Sequence, residues 1–538
     1  MTDRNKFIKG TVILICANAA AKILGAIFKI PLTYILREEG MAVYNTAFSV
    51  YIMMLSFVTS GFPFALTKLL AEYTALGKDE RIRPAVRCAA VILCALGMAA
   101  SLVMYFFAQP LAYSMREPNA AGAIRAVSGS IVLVALGAVI KSSNEARGDL
   151  LPTALSQVSE AALKLFAGFY LATQLIHISV YSAAQGAILG VTVGEAFATS
   201  LLFIMWRIRV RKLPKSRISS SDARALVSVA VPMLVTGCVS GLLNMAEVSV
   251  IRGALSSVRF TPDTASDFLL KYSSYTDVFD NLRETLCFSA DGVRKLFGAY
   301  SGYAQTVFNL PIGIIGTISA AATPMIASAL TKKDHAALSR ALERIMRLIL
   351  ILAVPSAAVC FFFSGELLSL LFGNSFSAAM LSSLAPSLIF LCAGNILIAV
   401  LHLSGRIFEP FCAIAAALII KILLSALLIR LPYVNILGAG AASCVSSMLA
   451  FIMISAIFKR SFGVLPSFFR LGAPSAAASC VMIGLMRLLN PVLLAYTEHR
   501  IAFIACCIAG AVGYVLTLML LMKSGDTVFI IGRNSKQS

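Results

Sequence analysis

The sequence predicts an all-α polytopic membrane protein with 14 transmembrane helices, arranged as two pseudo-symmetric six-helix lobes plus two extra C-terminal helices. Three observations carry this. Of 538 residues, 59% are hydrophobic and 13% charged, with a mean hydropathy of +0.87, against about 25% charged residues in soluble domains. Apolar stretches of about 20 residues, the length that crosses hydrocarbon as a helix, recur along the whole chain. The basic residues that bring the formal charge to +20 are concentrated in short connections between those stretches. This composition excludes an ordinary soluble enzyme, a disordered tail and a disulfide scaffold.

The apolar stretches cover residues 10–36, 41–73, 86–108, 121–141, 153–175, 182–206, 226–251, 300–330, 345–364, 380–403, 410–430, 436–458, 472–490 and 500–522. Ahead of the first, Arg4, Lys6 and Lys9 run into an apolar stretch too long for a signal-peptide core and without a small-residue cleavage site, so it is expected to stay as a membrane helix. An even number of crossings puts both termini on one side. Counted with the N-terminus inside, 28 of the 45 Lys and Arg face the cytoplasm and 11 face outward, with loop 207–225 the most basic. Lys and Arg favour the cytoplasmic side, so both termini are expected there, in the cytoplasmic membrane of a bacterium.

Short motifs recur about 250–260 residues apart. Ser60-Gly-Phe-Pro63 answers Ala322-Thr-Pro324, Gly148 with Pro152 and Lys164 answers Gly405 with Pro410 and Lys421, and Ile188-Leu-Gly190 answers Ile436-Leu-Gly438. Three matches in order imply a duplicated six-helix lobe in parallel orientation. The expected divisions are 1–225, 226–460 and 461–538. Within the second, 252–299 carries six acidic and six basic residues and reads as a solvated extracytoplasmic excursion, with an interfacial helix near Phe279–Phe297.

No Gly-x-x-x-x-Gly-Lys-Ser/Thr loop occurs, so no nucleotide motor is built in. The four histidines, His177, His335, His402 and His499, are dispersed, no metal-ligand cluster is expected, and the twelve cysteines read as small packing residues. The pattern is that of a transporter, not an enzyme, and the basic excess is one of orientation, not of nucleic-acid binding. Ionisable residues inside the bilayer cost roughly 2.5–3.5 kcal/mol at a helix centre and therefore mark cavities or partners. Lys22 and Lys29 lie two turns apart on one face of the first segment, with no acid three or four residues from either, and Arg37 follows just outside. With Lys421 these are the candidate cavity cations, suited to an anionic cargo. Glu160 is spaced to pair with Lys164, as Glu72 is with Lys68. Glu195 and Glu247 are candidates for ion coupling or for pairing with a lysine. Pro31, Pro63, Pro232 and Pro324 are candidate hinges.

The run Ala21-Lys22-Ile-Leu-Gly25-Ala-Ile-Phe28-Lys29-Ile-Pro31-Leu, followed by Glu39-Gly40, Tyr44, Ser60-Gly61-Phe-Pro63 and Lys68-Leu-Leu-Ala-Glu72-Tyr73, resembles the polysaccharide-transport branch of the multidrug/oligosaccharidyl-lipid/polysaccharide exporter superfamily. Arg147-Gly148-x-Leu-x-Pro152 with Ser156-Gln157 and Glu160, and Gly186-Ala-Ile-Leu-Gly190 with Gly194-Glu195, resemble its stage V sporulation protein B-like members and lipid II flippases. The resemblance implies a two-lobe carrier that moves an undecaprenyl-pyrophosphate-linked cell-wall precursor, lipid II first among the choices, to the outer leaflet by alternating access. It also implies first-helix cations, here Lys22 and Lys29, that meet the pyrophosphate, and a groove in the last two helices for the lipid tail. Membrane lipids and cell-wall synthesis proteins are the implied partners. The chain departs from the family in using Lys where Arg is usual and in the length of 252–299. Alternatives are a flippase for another lipid-linked glycan, a drug or cation antiporter of the same superfamily, and a non-transporting scaffold of cell-wall or spore-cortex synthesis. No cofactor is expected beyond a coupling proton or sodium ion, or the membrane potential, which favours outward movement of negative charge by about 2.3 kcal/mol per charge per 100 mV.

Overall fold

The computed structural model describes residues 3–76, 79–146, 148–210, 220–271, 282–331, 335–495 and 498–521, and these are helical, with no strand among the described residues. In chain order the helices are α1 (Asp3–Thr59), α2 (Phe62–Ala75), α3 (Ile82–Phe106), α4 (Ala108–Ser114), α5 (Ala121–Ser128), α6 (Ser130–Glu145) and α7 (Leu151–Leu175). Next come α8 (Val180–Val210), α9 (Ser220–Ser256), α10 (Pro262–Lys271), α11 (Leu282–Thr285), α12 (Ala290–Gly298), α13 (Gln305–Thr331) and α14 (His335–Phe362). The last are α15 (Ser364–Phe372), α16 (Ala378–Leu384), α17 (Ser387–Leu403), α18 (Phe408–Leu428), α19 (Leu437–Phe462), α20 (Phe468–Leu494) and α21 (His499–Leu521). Among the described residues 11 helices are long and apolar enough to cross a membrane, so the chain is a multi-pass membrane protein.

The segment boundaries differ from the sequence reading at identifiable places. Stretches 10–36 and 41–73 run together as α1, interrupted at Arg37, where φ is 49° and ψ −163°. The polar run Arg37-Glu38-Glu39 is a poor occupant of hydrocarbon, and the chain bends there. Stretch 41–73 is itself broken at Ser60–Gly61, because Pro63 lacks an N–H and is best tolerated in the first turn of a new helix, α2. Helix α7 is long enough to span but is not among the eleven. Its Ser, Gln, Glu160 and Lys164 dilute the apolar content.

Contacts divide the chain into two compact units: Met1–Thr306 with Ile407–Ala442, and Val307–Arg406 with Ser443–Ser538. This division follows contact density. The repeat divisions at 225 and 460 concern internal symmetry and are a separate matter.

The first unit has a continuous apolar core built from Phe28, Leu32, Leu36 and Tyr44 of α1, together with side chains of α2, α3, α5, α6 and α8. Helices α7 and α8 pack closely along their length. Gly186, Gly190 and Gly194 lie at four-residue spacing on α8, and a Cβ at Gly190 would collide with the backbone of Gly168 on α7. Small residues at that spacing let two backbones approach, which in lipid is a main source of helix association.

The stretch 252–299 departs from the expected solvated cap. Phe260, Phe268 and Phe288 form one aromatic cluster, with ring centroids 5.0–5.6 Å apart, and Val293, Leu296 and Phe297 of α12 are buried. Helix α12 packs on α1 so closely that a Cβ at Gly298 would overlap the Glu38 carbonyl oxygen. The six acids and six bases misled because a balanced charge count looks the same in a solvated loop and in a paired, packed one. Asp277 and Asp280 lie outside the described residues, as do the side chains of Lys271, Arg283 and Glu284.

In the second unit, α14, α20 and α21 enclose Phe363, Ala478, Met482, Met486, Phe503 and Tyr514. The Tyr514 hydroxyl, which must be satisfied in an apolar surround, donates to the Ile351 carbonyl at 2.7 Å. Arg487 lays its guanidinium over the Phe362 ring at 5.1 Å, so its aromatic neighbour, and not reach to the headgroups alone, accounts for its place in α20.

Candidate functional site

The sequence-selected charged residues fall into separate clusters within the first unit. Lys22 is exposed on α1 and Lys29 half-buried two turns on. Lys164 is brought towards Lys29 by the packing of α7 on α1, where a Cβ at Gly168, one turn beyond Lys164, would lie 3.0 Å from the Phe28 ring. The Lys164 ammonium also stands 5.3 Å from the centre of the Phe48 ring, whose face attracts a cation. The carboxylates of Glu160, one turn earlier on α7, and of buried Glu195 on α8 attract Lys164. Those two carboxyls are within hydrogen-bonding reach of each other, and Glu160 also has Lys141 of α6 at 3.8 Å. Local packing explains the gathering: a Cβ at Gly194 would sit 2.8 Å from the Glu160 carbonyl oxygen, so glycine there lets α8 bring Glu195 up against α7. The expected Glu160–Lys164 pairing is therefore one edge of a larger cluster in which Lys141 is the nearer partner.

Chemically, this arrangement places cations on two helices that pack against each other, Lys29 on α1 and Lys164 on α7. An anionic group lodged between Lys29 and Lys164 would turn one repulsion into two attractions.

Lys421 has a partner that its own helix does not supply. Its ammonium on α18 meets the Glu247 carboxylate on α9 at 2.8 Å, with Tyr300 nearby. Of the two roles open to Glu247 from sequence, pairing and ion coupling, the structure has the first, and Lys421 is a paired cation in it.

A third cluster was not assembled by sequence reasoning. Arg252, near the end of α9 and 1% exposed, donates to Glu117 Oε2 at 3.0 Å, to Thr46 Oγ1 at 2.7 Å and to the Ala42 carbonyl at 3.2 Å. Its guanidinium also lies 4.3 Å from the Phe297 ring centre. Glu117, also 1% exposed, receives Arg294 of α12 at 3.0 Å, and Arg294 reaches Tyr181 and Asp291 as well. Burial pulls the Arg294 guanidinium down, but Glu117, Tyr181 and Asp291 more than offset it, and its net shift is upward. Lys295 meets Glu39 at 3.2 Å. The trio ties α1, the turn before α5, α9 and α12 together. The available signal was the cluster of charges in 252–299; the partner Glu117, 135 residues from Arg252, carried none.

Arg37 is exposed at the bend in α1, Pro31 lies inside α1 and Pro63 opens α2. The side chains of Pro232, Pro324 and Lys68 lie outside the described residues.

The second unit contains an apolar cavity of about 610 Å³. Its walls include Ile351 and Pro355 of α14, Met482 and Met486 of α20, and Tyr514 and Leu518 of α21.

Comparison with known proteins gives a consistent picture. The family model described as polysaccharide biosynthesis protein matches residues 7–330, and that described as lipid II flippase MurJ matches residues 297–497. Stage V sporulation protein B of Bacillus subtilis (strain 168) is 23% identical over 85% of this chain and 84% of its own length. Lipid II flippase MurJ of the same organism is 20% identical over 98% and 97%. Among solved structures, lipid II flippase MurJ in an inward closed conformation aligns over 96% of this chain and 100% of its own, with a TM-score of 0.67 and 14% identity. An inward-facing multidrug resistance MATE family transporter aligns over 84% and 98%, with a TM-score of 0.61 and 11% identity.

Proposed function

Since the chain belongs to the polysaccharide biosynthesis protein family, within the stage V sporulation protein B and MurJ branch of the exporter superfamily, we propose that it is a flippase for an undecaprenyl-pyrophosphate-linked cell-wall precursor, lipid II. The observation that carries this reading is the placement of two lysines of the spans, Lys29 on α1 and Lys164 on α7, on helices that pack together, with a Cβ at Gly168 falling 3.0 Å from the Phe28 ring and Lys22 two turns away on α1. A pyrophosphate brings at least two negative charges, and its seat between these lysines removes the repulsion they otherwise endure. The apolar cavity among α14, α20 and α21 is the seat for the polyprenyl chain.

The carrier crosses the cytoplasmic membrane of a bacterium fourteen times, with both termini inside, as the distribution of Lys and Arg favours. Two six-helix lobes alternate access. Matching local geometry supports the repeat: Gly148 and Gly405 have φ of 72° and 84° just before α7 and α18, and Gly190 and Gly438 each abut the backbone of the preceding helix. Glu160 and Glu195 are the groups through which a coupling proton or sodium ion acts, if the membrane potential does not suffice.

The test is complementation of a bacterial strain depleted of its own lipid II flippase, with outer-leaflet precursor measured directly. Wild-type chain restores both growth and precursor exposure. Normal membrane levels of the protein without precursor exposure reject lipid II as the cargo and leave another lipid-linked glycan, the reading in keeping with the polysaccharide biosynthesis family.

A further inference from the structure

We propose that the turn between α19 and α20 holds an anionic glycerophospholipid, at a site separate from the cargo cations and from the α20–α21 cavity. A second cavity in the second unit, of about 990 Å³, is walled by Phe390, Phe451 and Phe468, and by the loop Gly463–Pro466. The three rings form one cluster, with Phe451 and Phe468 centroids 4.9 Å apart and Phe390 within 6.3 Å of both. Beside it Phe469 is 87% exposed, a large apolar side chain left at the rim.

One face of α19 lines this cavity through Met448, Ile452, Ser455 and Lys459, positions three or four residues apart and thus stacked along the helix. Read along that face, the chemistry runs from hydrocarbon to hydroxyl to ammonium. At 1.5 Å per residue, Ser455 lies about 6 Å deeper than Lys459. A phospholipid has the same gradient, from acyl chain to ester to phosphate.

The hydroxyl supplies an independent indication. Ser455 is 9% exposed, and its Oγ has no hydrogen-bond partner, although serines on a helix commonly bond to the carbonyl one turn back. A buried unmet hydroxyl is costly, and an ester carbonyl in the cavity would satisfy it. Charge at the mouth agrees. No acidic residue is among the described lining residues, Arg460 is exposed beside Lys459, and Arg406 donates to Ser461 at 2.9 Å, bringing a further cation to the end of α19. Basic residues at a helix C-terminus also offset its dipole, but that role needs neither the aromatic cavity nor the buried hydroxyl. A single ammonium in the cavity wall matches one phosphodiester charge better than a pyrophosphate. In the orientation proposed above, the site faces the cytoplasmic leaflet, where anionic lipids are enriched.

Purified full-length protein in detergent is titrated with phosphatidylglycerol and with phosphatidylcholine of the same acyl chains, with bound lipid counted by native mass spectrometry. Phosphatidylglycerol should bind about fivefold more tightly, the factor set by about 1 kcal/mol per basic side chain at an anionic surface. Lys459→Gln should erase that preference, and Ala456→Trp, which fills the cavity from its wall, should weaken both lipids. Unchanged melting temperatures in lipid-free detergent establish that both variants are folded. Equal binding of the two lipids, or a preference untouched by Lys459→Gln, overturns the proposal. So does a polyprenyl diphosphate that displaces phosphatidylglycerol from the site sensitive to Ala456→Trp. Lys22→Ala protein should bind phosphatidylglycerol like wild type, which separates failure of the lipid site from failure of the flippase reading.

Discussion

Two charged clusters in the first unit are built on opposite principles. Around Glu117, two guanidiniums converge on one carboxylate, and Nη2 of Arg252 is directed to Thr46 and Ala42. Around Lys29, a second lysine is the neighbour, and the nearest acids stand around Lys164 instead. The first cluster is sealed at 1% exposure for both Glu117 and Arg252, whereas Lys29 is half-buried and Lys22 exposed. Buried charge that is mated and enclosed supports structure. Like charges gathered within a membrane span carry a cost that a ligand of opposite sign would relieve, which is the role proposed for Lys29 and Lys22.

The sharpest way to break this contrast is to remove the cations. Lys29→Ala and Lys22→Ala should each abolish restoration of growth in the flippase-depleted strain while leaving membrane level and melting temperature at wild-type values, because for Lys29 a repulsion is removed along with the binding charge. Growth like wild type in either variant would sink the cargo-site reading of that lysine.

Glu117→Gln should do the reverse of Lys29→Ala in kind. It leaves two guanidiniums without their shared carboxylate, and breaking a buried pair costs about 3–5 kcal/mol. The expected readout is a lowered melting temperature and loss of the monodisperse species in detergent. An unchanged melting temperature would show that the enclosed network contributes nothing to holding α9 and α12 on α1.

The smallest effect is expected at Lys421 and Glu247, a single pair at 2.8 Å without a third charge. Lys421→Met and Glu247→Gln should each lower the melting temperature, and the double variant should recover part of the loss, with a coupling of about 0.5–3 kcal/mol. Strict additivity would instead place Lys421 with Lys29, as a cation held for cargo.

The balance of packing also differs between the units. The ion pairs described above all fall in the first, while the two cavities of the second are lined almost wholly by apolar and aromatic side chains.

Legible in the amino-acid order is whatever depends on neighbours along the chain. Apolar stretches of spanning length, the glycines before α7 and α18, and lysines on the first helix are local properties, and hydropathy and spacing report them directly. The bend at Arg37 was partly legible, since three polar residues in a row must leave the hydrocarbon, but its tightness was not. Only the tertiary structure decided which charges mate. Glu247 and Lys421, or Glu117 and Arg252, lie on different helices, and no periodicity links them. The same holds for α12 within 252–299, a stretch with the composition of a solvated loop, where Val293, Leu296 and Phe297 are buried because Gly298 lets α12 close onto α1. A charge carries the same sequence signature whether water or a buried carboxylate satisfies it; the difference is made when helices pack and water is excluded.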